Sequence, residues 1–222
     1  GDGGAGEEDT EEAMYGMAAQ VNEAVRRTRG ALVVLLDAEC EPMSGFLDAH
    51  ADVLQDAAAE AGGQAAGRPA LAGSKLLRSD GSLYYAGVAF ALAALPPAVE
   101  TGWFMQPDEP EAAVPTPYYW LQGVHGFDAR VGTLQYAAAL SSAALAVPRA
   151  VWRQLGGLNA SWPDELCDVE LSLRAYARGL YPVLQPQSVG LHFGPPPAEA
   201  ARDALVRLDE AWGAHLRAQL AA

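Results

Sequence analysis

The chain has 222 residues, half of them hydrophobic, enough to bury the core of one good-sized domain or two small ones. Its 28 acidic and 14 basic residues leave a net charge of −14, which argues against a nucleic-acid binder, because such affinity rests on neutralising phosphates with Lys and Arg. Two cysteines, Cys40 and Cys167, cannot build a disulfide framework or a four-cysteine zinc site, and the longest apolar run, Ala86 to Val99, holds Pro96-Pro97 and falls short of the ~20 residues of a membrane helix.

Residues 1–10 read as a flexible acidic lead, and 11–222 as a single domain. The stretch 11–29 predicts a helix: Met14, Met17, Val21 and Val25 share a face, Arg26, Arg27 and Arg29 complement the C-terminal dipole, and Gly30 ends it. "ALVVLL", residues 31–36, is a continuous apolar run of the kind found in a strand buried on both faces. After Pro42, residues 44–61 predict a second helix, and 62–70 a loop. Residues 70–77 and 83–92 read as two strands around the Asp-Gly turn of "RSDGS".

Residues 100–135 read as a long loop containing Trp103, Phe104, Tyr118, Tyr119, Trp120 and Phe127, and loops of that length are commonly binding loops or lids. Beyond it, 136–148 predicts a strand entering a helix, 149–157 a short helix ended by Gly156-Gly157, and 164–179 a helix stopped by Gly179. Residues 180–194 read as a strand pair or an extended crossing. Residues 197–222 read as an amphipathic helix with a stripe of Leu205, Leu208, Trp212, Leu216 and Leu220. Strands alternating with helices indicate an α/β class.

Three groups of residues could carry chemistry. Asp37 and Glu39 stand where the first strand ends, and ligands of open α/β sheets bind beyond the carboxyl ends of strands. Paired hard oxygens there suit Mg²⁺ or Mn²⁺, although acids at a strand end are also ordinary turn residues. Asp168 and Glu170 open the 164–179 helix, with Arg174 and Arg178 on later turns. Acids at a helix start stabilise its dipole, and Glu170–Arg174 is an i, i+4 pair; alternatively Asp168 is a general base, with Asp164 and Glu165 as competitors. His192 could complete a metal's ligand set or be a satisfied core residue, while His50 and His215 read as helix-surface residues.

The order of these pieces resembles the inverting glycosyltransferases of family 2, which use the GT-A fold. "NEAVRRTRGALVVLLDAECEP" is similar to that family's Asn-x-Gly-x-x-x-Ala-x-Gly helix, strand and Asp-x-Asp metal motif. "GSKLLRSDGSLYYAGVAF" resembles the "KLLxPDGxIQHAGVxF" hairpin of a rhamnosyltransferase-like branch. "SSAALAVPRAVWRQLGGLN" and "CDVELSLRAYARGLYPVLQPQSVGLHFG" resemble the acceptor-side segment and the later catalytic segment. The resemblance runs from about Ala19 to Gly194. It implies a GT-A-like, Rossmann-like mixed sheet flanked by helices, and a divalent cation, Mn²⁺ or Mg²⁺, held by Asp37, Glu39 and His192 on the donor's diphosphate. It also implies Asp168 as the base for an acceptor hydroxyl, with Glu170, Arg174, Trp103 and Trp120 on the acceptor side. The implied partners are a nucleotide-sugar donor and a glycan or glycolipid acceptor, as in polysaccharide biosynthesis. Cys40 and Cys167 would both border the cleft.

Several positions depart from the family pattern. Glu39 stands where the motif has Asp, Cys167 where Glu or Asn is usual, Glu170 where Asp is usual, and Phe193-Gly194 where a polar pair is usual. No strand ending in a Pro-x-Tyr-Asn-like turn precedes Ala19, so the chain reads as lacking the nucleoside-binding part and as a fragment of a longer polypeptide. The alternatives are a non-catalytic carbohydrate-binding or interaction domain and, third, a metal-dependent hydrolase or nucleotidyltransferase. With few cysteines and no signal sequence, the expected location is cytoplasmic or membrane-peripheral.

Overall fold

The computed structural model describes residues 16–59, 69–95, 113–195 and 200–221. The acidic lead, Trp103 and Phe104 lie outside these residues. The architecture is α/β, with a mixed sheet flanked by helices.

Helix α1 spans Met17–Arg27 and buries Ala18 and Val25 against Trp152, Leu155 and Leu158. Its first N–H groups have no partner within the helix, and the Asp164 carboxylate takes two of them, from Met17 at 2.9 Å and Ala18 at 3.4 Å. Arg149 fastens the other end by donating to the carbonyls of Val25 and Gly30 and to Thr28 Oγ1. Strand β1 (Leu32–Leu36) follows, then the short edge strand β2 (Cys40–Pro42) and helix α2 (Phe46–Ala59).

Strand β3 (Pro69–Leu77) is central, and every residue from Ala70 to Leu76 is buried, whereas β1, expected to be covered on both faces, buries only Val33 and leaves Leu36 exposed. It pairs in parallel with β9 (Tyr181–His192) and antiparallel with β8 (Ala144–Pro148). The sheet order is β1-β8-β3-β9-β2, with β4 (Leu83–Tyr85) beside β3 and β7 (Gln135–Tyr136) beside β9. Residues 181–192 are thus one continuous strand rather than a strand pair.

The expected strand 83–92 is two strands. Gly87, at φ 98°, breaks the run, so that β4 stays on the main sheet while β5 (Val88–Ala93) leaves it. β5 pairs instead with β6 (Val114–Tyr119), inside the segment read as loop. The sequence "VPTPYY" hides this strand because proline cannot donate to a ladder; β6 tolerates Pro115 and Pro117 because β5 is its sole strand partner.

Helix α3 (Arg149–Leu155) ends at Gly156 and Gly157, both at positive φ. Helices α4 (Cys167–Tyr176) and α5 (Arg202–Leu220) complete the described chain. On α5, Leu205, Leu208 and Leu216 are buried, whereas Leu220 is exposed.

His50 corrects the sequence reading. It is fully buried rather than on the helix surface, and its Nε2 bonds Ser74 Oγ at 2.8 Å. Ser74 in turn meets Ser188 Oγ at 2.8 Å, and Ser188 donates to the Phe46 carbonyl at 3.1 Å. Since Ser188 spends its proton on Phe46, Ser74 donates to Ser188 and the His50 Nε2–H donates to Ser74. This chain pins α2 to the β3–β9 pair.

Candidate metal and acid–base site

The end of β1 is held in place by Asp37 N–H donating to the Ala143 carbonyl at 3.0 Å. The chain then turns: Asp37 Oδ1 accepts from Glu39 N–H at 2.8 Å, and Cys40 N–H donates to the Asp37 carbonyl at 3.0 Å. This turn breaks the strand alternation and brings both carboxylates to one side. β2 pairs Cys40 with His192 at the end of β9, and Phe193 N–H donates to the Glu39 carbonyl at 3.0 Å. Chain-distant residues therefore meet: ligand atoms of Asp37, Glu39 and His192 all lie within 4.8 Å of one another.

The two carboxylates are exposed and the imidazole is buried. His192 stacks on Tyr84 with ring centroids 3.8 Å apart and planes 7° from parallel, and Tyr84 is itself fixed by donating to the Pro195 carbonyl at 3.0 Å. His192 Nδ1 accepts from Gly194 N–H at 3.1 Å, while the buried Nε2 has no hydrogen-bond partner and stands 4.0 Å from Asp37 Oδ1. An orphaned buried nitrogen facing two carboxylates suits a cation, and the Asp–Glu–His group can hold a metal ion. The Gly194 contact assigns the neutral ring's proton to Nε2, so ligation there requires that proton to move.

Asp168 is 7% exposed at the first turn of α4. Its Oδ2 accepts from Ser142 N–H at 2.6 Å and Ser142 Oγ at 2.9 Å, and its Oδ1 accepts from Val169 N–H at 2.7 Å. Burial pushes its pKa above the usual carboxylate range, against the opposing pull of these donors. Behind it, Ser141 Oγ meets Tyr119 OH at 2.9 Å, and Ser141 N–H donates to Tyr85 OH at 2.9 Å.

The loop Ser141–Ala143 joins the two groups: Ser142 holds Asp168, and Ala143 anchors Asp37. Tyr119 packs edge-on against Tyr84, 5.7 Å between centroids, and the charges of both Asp168 and Asp37 add to the burial that raises its hydroxyl pKa. The Ser141–Ala143 loop and Tyr119 thus link Asp168 to Asp37.

The other predicted site residues lie elsewhere. Arg174 pairs with Glu170 at 2.9 and 2.6 Å, and its remaining donors go to the carbonyls of Leu155 and Gly157, the latter at 3.0 Å. Their polar atoms are spent fastening α4 to the end of α3, in place of an acceptor-side role. Trp120 lines a hollow with Gly87, Val88 and Tyr136, and packs toward Leu83, Ala86 and Leu184 rather than toward the Asp–Glu–His group. Trp103 is outside the described residues. Cys40 borders the site, but Cys167 is fully buried in the cluster around Trp152 and Leu155, so the two thiols do not flank one cleft.

The sequence does not single out Tyr84, Ser141 or Ser142 for the site, and offers Tyr119 only as one aromatic of a long loop and Gly194 only as a departure beside His192. The pair Ser141-Ser142 was visible only as part of the acceptor-side segment, and nothing in its spacing points to a buried aspartate 26 residues away. No protein-family model matches this chain, and no curated protein matches it at a significant level of similarity.

Proposed function

We propose that this chain is a GT-A-like inverting glycosyltransferase domain, moving a sugar from a nucleotide-sugar to a hydroxyl of a glycan or glycolipid. One observation carries the reading: the cation-competent group Asp37–Glu39–His192 and the buried Asp168 share the Ser141–Ala143 loop. Asp37, Glu39 and His192 would hold the cation, and their mixed oxygen and nitrogen donors favour Mn²⁺ over Mg²⁺, which prefers oxygen and water. When bound, the cation supplies positive charge for the departing diphosphate. Asp168 takes the proton of the acceptor hydroxyl. Ser142 fixes its Oδ2, and burial raises its basicity. Among the described residues no helix is long and apolar enough to cross a membrane; the nucleotide-sugar and the acceptor are what the resemblance to family 2 glycosyltransferases implies.

Calorimetry with Mn²⁺ and a nucleoside diphosphate, on this chain and on Asp37→Ala, tests the reading. Metal-dependent diphosphate binding that is lost in the variant is the expected result; no binding by the parent chain at millimolar ligand refutes it.

A second reading, a non-catalytic carbohydrate-binding or interaction domain, is favoured by the saturation of Asp168. Its carboxylate accepts from Ser142 and Val169 at a helix start, as a purely structural acid would.

A further inference from the structure

We propose that Arg78 is the anion-binding arm of this site, its guanidinium taking the phosphate oxygens of a diphosphate whose other end sits on the cation at Asp37 and Glu39; this rests on the metal reading of those two carboxylates. Arg78 follows β3, and its backbone N–H closes the hairpin turn by donating to the Ser82 carbonyl at 2.8 Å. Its side chain crosses Tyr84, with the guanidinium carbon 5.3 Å from the ring centroid. His192 stacks on the same ring with centroids 3.8 Å apart, so Tyr84 links Arg78 to the Asp–Glu–His group.

Arg78 makes no ion pair or side-chain hydrogen bond among the described residues, although the chain is acidic and the exposed carboxylates of Asp37 and Glu39 group with His192, which shares Tyr84 with it. Asp80, the acid nearest in sequence, spends its Oδ1 on Ser82 N–H at 2.9 Å and Ser82 Oγ at 2.7 Å. A direct Arg78–Asp37 pair would neutralise the cation site; none forms, and the planar, half-exposed fork of donors is open to a ligand.

A ligand matching this layout has an electropositive end for the carboxylates and an anionic end for the guanidinium. A divalent cation chelated by a diphosphate has that form. A diphosphate on the cation carries a second phosphate to offer the guanidinium and a monophosphate does not, so Arg78 should favour the diphosphate. Arginine rather than lysine suits the position, because its fork both lies flat on tyrosine and takes two phosphate oxygens at once.

The test is titration calorimetry of the intact chain with Mn²⁺ alone, then with uridine diphosphate and uridine monophosphate at saturating Mn²⁺. Arg78→Gln should weaken diphosphate binding by roughly tenfold to a hundredfold, the scale of charge-assisted hydrogen bonds, and leave Mn²⁺ and monophosphate binding within about twofold. Arg78→Lys, which keeps the charge and loses the fork, should fall between. Circular dichroism checks that the turn variants fold. If both variants bind diphosphate like the parent, the inference is overturned while the metal reading stands, provided Asp37→Ala still abolishes binding. If the parent chain binds no Mn²⁺, both fall together.

Discussion

Gly194→Ala isolates one steric requirement of the site. A Cβ at position 194 would overlap Glu39 Oε2 and lie 2.8 Å from both Glu39 Cδ and His192 Cε1. Gly194 is not among the residues with positive φ, so alanine suits its backbone and only space is at issue. The two neighbours differ in their freedom to yield. Glu39 is exposed and can swing outward, whereas His192 is 4% exposed and clamped against Tyr84. The added methyl therefore displaces the carboxylate first. Glutamate reaches about 1.5 Å further than aspartate, and the missing side chain at 194 is the space into which that extra length folds. The length of Glu39 and the missing side chain at Gly194 complement one another in this geometry. Misplacing one metal-site group costs on the order of 10–100-fold in affinity. Calorimetry with Mn²⁺ on Gly194→Ala, Glu39→Ala and the double variant reads this directly. If the methyl acts through Glu39, the double variant should lose little more than Glu39→Ala alone. Parent-like affinity in Gly194→Ala, or losses that multiply in the double variant, would refute the reasoning.

Asp168→Asn should cut turnover by roughly 10²–10⁴-fold, the scale of general-base catalysis, with metal and diphosphate binding nearly intact; a variant as active as the parent removes Asp168 from the mechanism. Stability should depend on pH through His50. Burial lowers its pKa from 6.5 to about 4, so between those values the unfolded chain binds a proton that the folded one refuses. Its contribution is complete above pH 6.5 and is lost as pH falls toward 4, up to about 3 kcal/mol at the 1.36 kcal/mol per pH unit of linkage. Urea unfolding of the parent and of His50→Gln at pH 7.5, 5.5 and 4.5 should show the parent losing more stability over this window; parallel curves would disprove the assignment.

The legible parts of this molecule are those whose cause is local. β1 is legible as an apolar run, although of its residues only Val33 is buried and Leu36 is exposed, so the run marks a strand without marking cover on both faces. The stop of α3 is legible because Gly156 and Gly157 adopt positive φ. β6 was lost because its prolines signal a loop, and they are harmless only once β5 leaves the main sheet at Gly87. His50 was misplaced for a similar reason: a polar residue on a helix reads as exposed until Ser74, from another strand, offers it a partner.

The site divides along the same line, and the division bears on its chemistry. Asp37 and Glu39 could be found from sequence because a carboxylate at a strand end is a local signal. Tyr84, Ser142 and Gly194 could not, because each matters through a residue far along the chain: His192, Asp168 and Glu39 respectively. Asp164 and Asp168 show how little local pattern separates the two classes. They sit four residues apart near one helix start; one caps α1, and the other is buried on Ser142. What distinguishes them is the second contact. Among the described residues the Asp164 carboxylate binds the backbone of Met17 and Ala18, which a structural acid does equally well anywhere. Asp168 is held by the loop that also anchors Asp37. Under the proposed transfer a base and a leaving-group site must keep a fixed separation, and a loop bonded to both residues is a simple way for a fold to hold it.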